Sequence, residues 1–308
     1  MGGNSIGMWL IFGVVVAAAI VTDTILFRPK TDRVTLKHAA AETASWIGLA
    51  LLFCAWVWIS RGSRAGTEFL TAYVLEKSLS ADNIFVFLLI FRAFGVGGRA
   101  QHRVLYSGIA GALVLRLAFI LAGVALLARF HVVTYIFGAI LLVAAAHMFV
   151  PGRRVFQPER SWVVRAARKI LPVTESYRDD HFWARDNGRW TATPLLLALV
   201  VIEATDVLFA ADSVPAVLGI TRDPFIAYSS NVFAILGLRA MYFGLAELMA
   251  RMRFLHQGFA AILLFIGGKM LLSDRIEIST AVSLAIIVGI LAIAAFTSWL
   301  AARKTTGS

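Results

Sequence analysis

Residues 192–218 read ATPLLLALVVIEATDVLFAADSVPAVL. The run is long enough to cross a bilayer as a helix, which takes roughly 20 residues, yet it carries Glu203, Asp206 and Asp212. A charge at the centre of a spanning helix costs on the order of 2.5 to 3.5 kcal/mol on insertion scales, and each good apolar residue returns only about 0.3 to 0.6 kcal/mol. Three acids in one such segment are too expensive to face lipid and are expected inside a bundle. Comparable apolar stretches lie near 6–27, 42–60, 68–91, 104–128, 132–150, 225–250, 254–272 and 277–302, which with 193–218 makes nine spans.

Composition points the same way. The 308 residues are 59% hydrophobic and 15% charged, with a mean hydropathy of +0.80, whereas soluble domains carry about a quarter charged residues. Backbone amides in lipid have to be satisfied within the segment, and the dyad alternation of a lipid-embedded barrel is missing. The expected fold is therefore all-α, a polytopic transmembrane helical bundle of about nine helices, forming a single membrane domain over 1–308. Cys54 is the sole cysteine and sits in an apolar run, so it reads as a small buried hydrophobe and leaves no intrachain disulfide. The first apolar run lacks a basic flank and a small-residue cleavage pattern, so it reads as a retained helix.

The net charge of +11 is distributed by loop. The loops after spans 1, 3, 5 and 7 and the C-terminal tail hold twenty Lys and Arg, and the alternate loops hold five. That asymmetry predicts an N-terminus outside and a C-terminus in the cytoplasm, and it removes the reason to invoke nucleic acid as a partner. The longest connection, 151–190, is a basic cytoplasmic loop holding nine of the bases. Within it RSWVVRAARKIL at 160–171 mixes apolar and basic residues at helical period, fit either to lie on an anionic leaflet or to serve as a solvated connector; the loop is also where a membrane protein partner would dock.

An internal repeat organises the spans. FGAILLVAAAHMF at 137–149 aligns without gaps to FAAILLFIGGKML at 259–271, LVLRLAF at 113–119 to LGLRAMY at 236–242, and ADN at 81–83 to ADS at 211–213. Spans 3–5 thus repeat as spans 6–8, with Arg116 opposite Arg239. Because each copy holds an odd number of helices, the two cross in opposite senses, which is the inverted-repeat plan of secondary transporters.

The chemistry concentrates in the first helix of each copy. Span 3 carries Glu76, Lys77, Ser80, Asp82 and Asn83, and span 6 carries Glu203, Asp206, Asp212, Ser213 and Pro215. Glu76, Ser80 and Asn83 share a helix face at i, i+4, i+7, and Glu203 and Asp206 pair at i, i+3. Asp212 falls half a turn from Glu203, so a bend or unwinding at 209–215, with Pro215 as its cause, is expected if all three are to converge. Carboxylate, amide and hydroxyl oxygens suit Mn²⁺, Mg²⁺ or Ca²⁺ and give no basis for choosing among them. The expected metal site is Glu76, Asp82, Asn83, Glu203, Asp206 and Asp212. The competing reading makes the acids structural partners of the intramembrane bases Lys77, Arg116, Arg239 and Lys269. Adjacent Glu76 and Lys77 do not face each other, and five acids outnumber four bases, which favours function. Arg116 and Arg239 are expected to form structural or gating ion pairs with the acids, Asp23 to be interfacial, and His147 and Lys269 to snorkel at helix ends. Side-by-side carboxylates cannot all ionise, so an arriving cation would expel a proton.

At these residues the chain resembles the TerC family of bacterial membrane proteins. The likeness runs through EFLTAYVLEKSLSADNIFVFLLIF at 68–91, QHRVLYSGIAGALVLR at 101–116, LPVTESY at 171–177 and the long stretch 192–243. The resemblance implies Mn²⁺ export across the bacterial inner membrane, tied to metal homeostasis and alkaline pH response, with Glu76, Asp82, Glu203, Asp206 and Asp212 as the metal site and Asn83 and Ser213 beside it. His147 departs from the family pattern, which has lysine there. An acid-lined path does not suit tellurite, the oxyanion behind the family's name. The expected function is thus proton-coupled export of Mn²⁺ as substrate, with the bilayer as solvent, no permanently bound cofactor and no enzymatic activity, since no phosphate-cradling glycine loop or nucleophile triad is present. The alternative is a non-transporting scaffold or metal-delivery subunit of a stress-response complex, working through loop 151–190.

Overall fold

A computed structural model describes residues 3–26, 36–149, 161–170, 172–174, 181–186, 189–238, 240–242 and 254–306. The chain is built from helices: α1 (Gly3–Leu26), α2 (Leu36–Arg61), α3 (Ser63–Ala93), α4 (Gly98–Arg129), α5 (Val132–Phe149), the short α6 (Trp162–Ile170), α7 (Pro194–Leu218), α8 (Pro224–Leu236), α9 (Leu255–Leu271) and α10 (Thr280–Thr306). Each of the nine expected spans overlaps one helix, although the helix in the seventh, α8, has only 13 residues. Those covering His38–Arg61, Ala100–Arg129, Pro194–Leu218 and Thr280–Ala301 are long and apolar enough to cross a membrane on length and composition alone. The all-α polytopic expectation therefore holds. Large apolar side chains such as Leu10, Val14, Val114, Ile140 and Phe296 are exposed, as befits a lipid-facing surface, while Glu76, Arg116 and Asp206 are buried.

Turn chemistry separates the helices. Gly62, at φ 87°, is all that lies between α2 and α3, and Gly95, at φ 62°, follows the end of α3; side chains rarely tolerate that left-handed backbone. Asp223 caps α8, its carboxylate accepting from the amides of Phe225 at 2.9 Å and Ile226 at 3.3 Å, with Pro224 in the first turn.

One element departs from the expectations, and the described part of loop 151–190 holds the helix expected at 160–171 together with an unexpected hairpin. The seventh span, expected as one helix over 225–250, is interrupted: α8 stops at Leu236, Gly237 turns, and helix resumes at Leu238 and at 240–242. The Lys77 ammonium lies against Gly237 where a Cβ would stand and donates to the Ala234 carbonyl at 3.2 Å, so a cation meets the carbonyl-rich end of α8. Loop 151–190, in its described part, is not a plain connector. It holds α6 and an antiparallel hairpin of β1 (Trp183–Asp186) and β2 (Arg189–Ala192), in register Trp183 with Ala192 and Arg185 with Trp190. Val164 of α6 is buried in one cluster with Leu195 and Ala198 of α7, so part of the apolar face of α6 rests on protein. Thr193, directly before α7, donates its hydroxyl to the carbonyl of His181 at 2.7 Å, tying the hairpin to that helix.

Helix packing follows the repeat. The most extensive interfaces are α5 with α9, α3 with α8 and α4 with α7. Exchanging α3, α4 and α5 for α7, α8 and α9 maps the first interface onto itself and interchanges the other two, as a pseudo-twofold axis requires. Where α5 meets α9 the backbones nearly touch: a Cβ on Gly267 would stand 2.9 Å from the Gly138 carbonyl, and one on Gly138 would stand 3.0 Å from the Gly267 carbonyl. Small residues permit that approach.

Candidate cation site

On α3, Glu76, Ser80 and Asn83 share one face and are all buried, as the i, i+4, i+7 spacing requires. On α7, Asp206 and Ser213 face the same way, seven residues apart and both buried. Between the two helices lies the guanidinium of Arg116 from α4, 1% exposed. Its Nη1 donates to Glu76 Oε2 at 2.8 Å and to Ser213 Oγ at 3.4 Å. Nη2 and Nε fork onto the two oxygens of Asp206 at 3.0 and 3.3 Å. The repeat alignment that matches 81–83 with 211–213 also makes Glu76 and Asp206 equivalents. One guanidinium is thus held by two pseudo-symmetric carboxylates, with the planar fork that favours arginine over lysine. Glu76 Oε1 remains without a hydrogen-bond partner among the described residues.

Cavities open on two sides of this knot. One of about 160 Å³ is lined by Asn83, Arg116, Met148, Asp212, Ser213 and His256 among others. A smaller one of about 20 Å³ is lined by Ser80, Asn83, Gly108, Arg116, Ile202 and Asp206 together with Ile235 and Leu238. Ser80, Asn83 and Arg116 border both.

The expected ligands are therefore distributed. Glu76 and Asp206 meet through Arg116, Asn83 borders both cavities, and Asp212 borders only the larger. Glu203 takes no part in the Arg116 contacts: its carboxylate lies against Gly111 of α4, where a Cβ would collide with it, and Glu203 Oε2 has no partner among the described residues. The unwinding expected at 209–215 is absent: α7 is helical from Pro194 to Leu218 with Pro215 inside it. An unbroken helix keeps Glu203 and Asp212 on different faces, which is why the three acids do not converge. Asp82 falls within α3, but its side chain, that of Asp23 and the whole of Arg239 lie outside the described residues. Among the described residues no three His, Cys, Asp or Glu side chains gather as a metal cage. A cation reaching the knot meets two carboxylates and the neutral oxygens of Ser80, Asn83 and Ser213, a hard-ligand set.

Of the intramembrane bases, Arg116 forms the expected ion pairs, while Lys77 and Lys269 bond elsewhere. Lys269 Nζ donates to Ser283 Oγ of α10 at 3.0 Å and borders a separate cavity of about 240 Å³ with Arg64, Glu68, Thr221 and Arg222. Glu68 was not anticipated from the sequence. It accepts from Arg64 Nε at 3.1 Å and from Thr221 Oγ1 at 2.7 Å; the i, i+4 spacing to Arg64 was its one sequence signal, and Thr221 is 153 positions away. His256, on the wall of the larger cavity, had no signal at all.

Comparison with known proteins agrees with this architecture. The profile of the integral membrane protein TerC family matches residues 61–306. The membrane protein STKORF319 of Myxococcus xanthus is 44% identical over 305 residues, covering 99% of this chain and 96% of its own. Alx of Escherichia coli K12, whose name proposes a membrane-bound redox modulator, is 43% identical over 300 residues, covering 94% of each. A membrane protein of Rickettsia felis is 36% identical over 283 residues, covering 92% of this chain and 94% of its own. No solved structure matches. The chain is a multi-pass integral membrane protein that belongs to the TerC family.

Proposed function

We propose that this protein exports Mn²⁺ across the bacterial inner membrane, N-terminus outside and C-terminus in the cytoplasm, in exchange for protons. The observation that carries the reading is the buried pair Glu76 and Asp206, one from the leading helix of each repeat, held by Arg116 between two cavities. Burying two carboxylates is expensive unless a cation compensates them. Arg116 is that cation at rest, and an arriving divalent ion takes the carboxylates from it. The guanidinium then turns toward a neighbouring acid or a cavity, and any proton on the carboxylates leaves as the metal binds. Hard oxygen donors favour Mn²⁺ over softer metals. A redox role of the kind proposed by Alx's name would have no dithiol in this chain, since Cys54 is its sole cysteine and is buried.

The test is Mn²⁺ flux in sealed proteoliposomes at two pH values, comparing the native chain with Glu76→Gln, Asp206→Asn and Asp212→Asn. Flux that depends on a pH difference and is lost in Glu76→Gln and Asp206→Asn supports the reading. Absence of flux from folded native protein would move the assignment to the scaffold function and loop 151–190.

A further inference from the structure

Asn231 of α8 is fully buried, and neither Oδ1 nor Nδ2 has a hydrogen-bond partner among the described residues. Its neighbours Ser229 and Ser230 are buried as deeply but close their hydroxyls onto the carbonyls of Ile226 at 3.4 Å and Ala227 at 3.1 Å. Burying an amide with nothing bonded to it is expensive, and an apolar residue of similar volume would avoid that penalty. Such an orphan marks either a fault in packing or a group kept for a ligand.

Its position favours the ligand. Helices α3 and α8 pack side by side and run the same way: the Phe69 ring is 6.2 Å from that of Phe233, Lys77 Nζ is 3.2 Å from the Ala234 carbonyl, and the Phe91 ring is 5.5 Å from that of Tyr242. Along α3 the steps are Glu76, Ser80, Asn83; along α8 and past its break they are Asn231, Ile235, Leu238, with the same spacing. The second and third members of both ladders line the same small cavity with Arg116 and Asp206. Glu76 and Asn231 are the corresponding first members, one turn nearer the starts of their helices, and each carries an oxygen without a partner among the described residues. The alignment of 113–119 with 236–242 makes Asn231 the counterpart of Gly108, which lines that cavity from α4. At equivalent positions one repeat has a glycine on the cavity wall and the other a buried amide one turn before Ile235.

We infer that Asn231 is a further cation-binding residue, its amide oxygen joining Glu76 around a hard divalent ion. The inference rests on the cation-transport reading above and adds a ligand to it. A neutral amide oxygen raises the coordination number without adding charge, which suits an ion that has to leave again.

The test uses the purified full-length chain in detergent, titrated with MnCl₂ by calorimetry and melted without metal. Asn231→Leu is expected to melt at or above the native temperature without metal yet bind Mn²⁺ about tenfold more weakly, a difference of roughly 1.4 kcal/mol. Asn231→Asp is expected to bind at least as tightly as the native chain. A purely structural asparagine moves melting and binding together, so the opposed shifts separate the two roles. If Asn231→Leu binds Mn²⁺ like the native chain while Glu76→Gln abolishes binding, the assignment of Asn231 is wrong and the transport reading stands. If Asn231→Leu fails to fold, Asn231→Asp decides: Mn²⁺ binding weaker than native overturns the assignment. A native chain that binds no Mn²⁺ overturns both.

Discussion

Arg116 sets the energetics of the knot because it is the counter-charge for two acids that are nearly inaccessible to solvent. Removing one member of such a buried group leaves an uncompensated charge, a loss of about 3 to 5 kcal/mol. Arg116→Ala is therefore expected to melt well below the native chain without metal. If Arg116 and Mn²⁺ compete for the same oxygens, the variant also binds Mn²⁺ more tightly, by at least about tenfold, and Mn²⁺ raises its melting temperature more than that of the native chain. Calorimetry and thermal melts with and without MnCl₂ check both; weaker binding by Arg116→Ala would show that the guanidinium assists the cation and does not compete with it. Arg116→Lys keeps the charge but loses the fork onto Asp206 and is expected to fall between the two. Of the residues in this knot, Glu76 and Asp206 were legible as candidates because ionisable groups inside spans are rare. Ser213 was legible as a neighbour of Asp212. That Glu203 stays out of the Arg116 contacts was not, because the glycine that makes room for its carboxylate belongs to another helix.

At the scale of elements, two features carry weight: the close crossing of α5 and α9, and the break after α8. Gly267→Ala would press a methyl group into the backbone carbonyl of Gly138 and the side chain of Leu141. Backbone cannot swing aside as a side-chain tip can, so the two helices have to separate. The expected loss is about 1 to 3 kcal/mol, read as a lower melting temperature in detergent. Gly268, where a Cβ would have nothing within 4 Å, is the control and should tolerate alanine. The atoms nearest a Cβ on Gly111 belong to the end of the Glu203 side chain, so Gly111→Ala should shift that carboxylate with little effect on stability; a change in flux from this variant would give Glu203 a role in transport. Hydropathy located α5 and α9, and the alignment marked them as equivalents. It could not show the break at Gly237, because that interruption is tied to the Lys77 ammonium, which comes from a helix 157 positions earlier than the carbonyl it meets.

For the whole molecule, the proposed exchange of Mn²⁺ for protons predicts pH-sensitive transport. Protons and Mn²⁺ compete for the same carboxylates, so lower pH on the loading side weakens binding and higher pH strengthens it. Mn²⁺ flux is expected to rise as the loading-side pH is raised from mildly acidic to mildly alkaline; a flat profile would exclude proton exchange at this site. The packing of α3 on α8 and of α4 on α7 interleaves the copies, so neither repeat encloses the site alone. Hydropathy and the paired acidic motifs were enough to predict an all-α polytopic membrane protein, name the family and pick out the acidic helices. Lipid imposes rules of length and charge that act on each segment separately, and these can be read along one dimension. Which acids meet was settled only in three dimensions. Arg116 lies 40 positions from Glu76 and 90 from Asp206, and helical angle says which residues share a face but not which helix that face meets. The same limit hid Asn231: its amide is unremarkable in the sequence, and only the folded structure shows that it is fully buried in α8, which packs on α3, with no hydrogen-bond partner among the described residues.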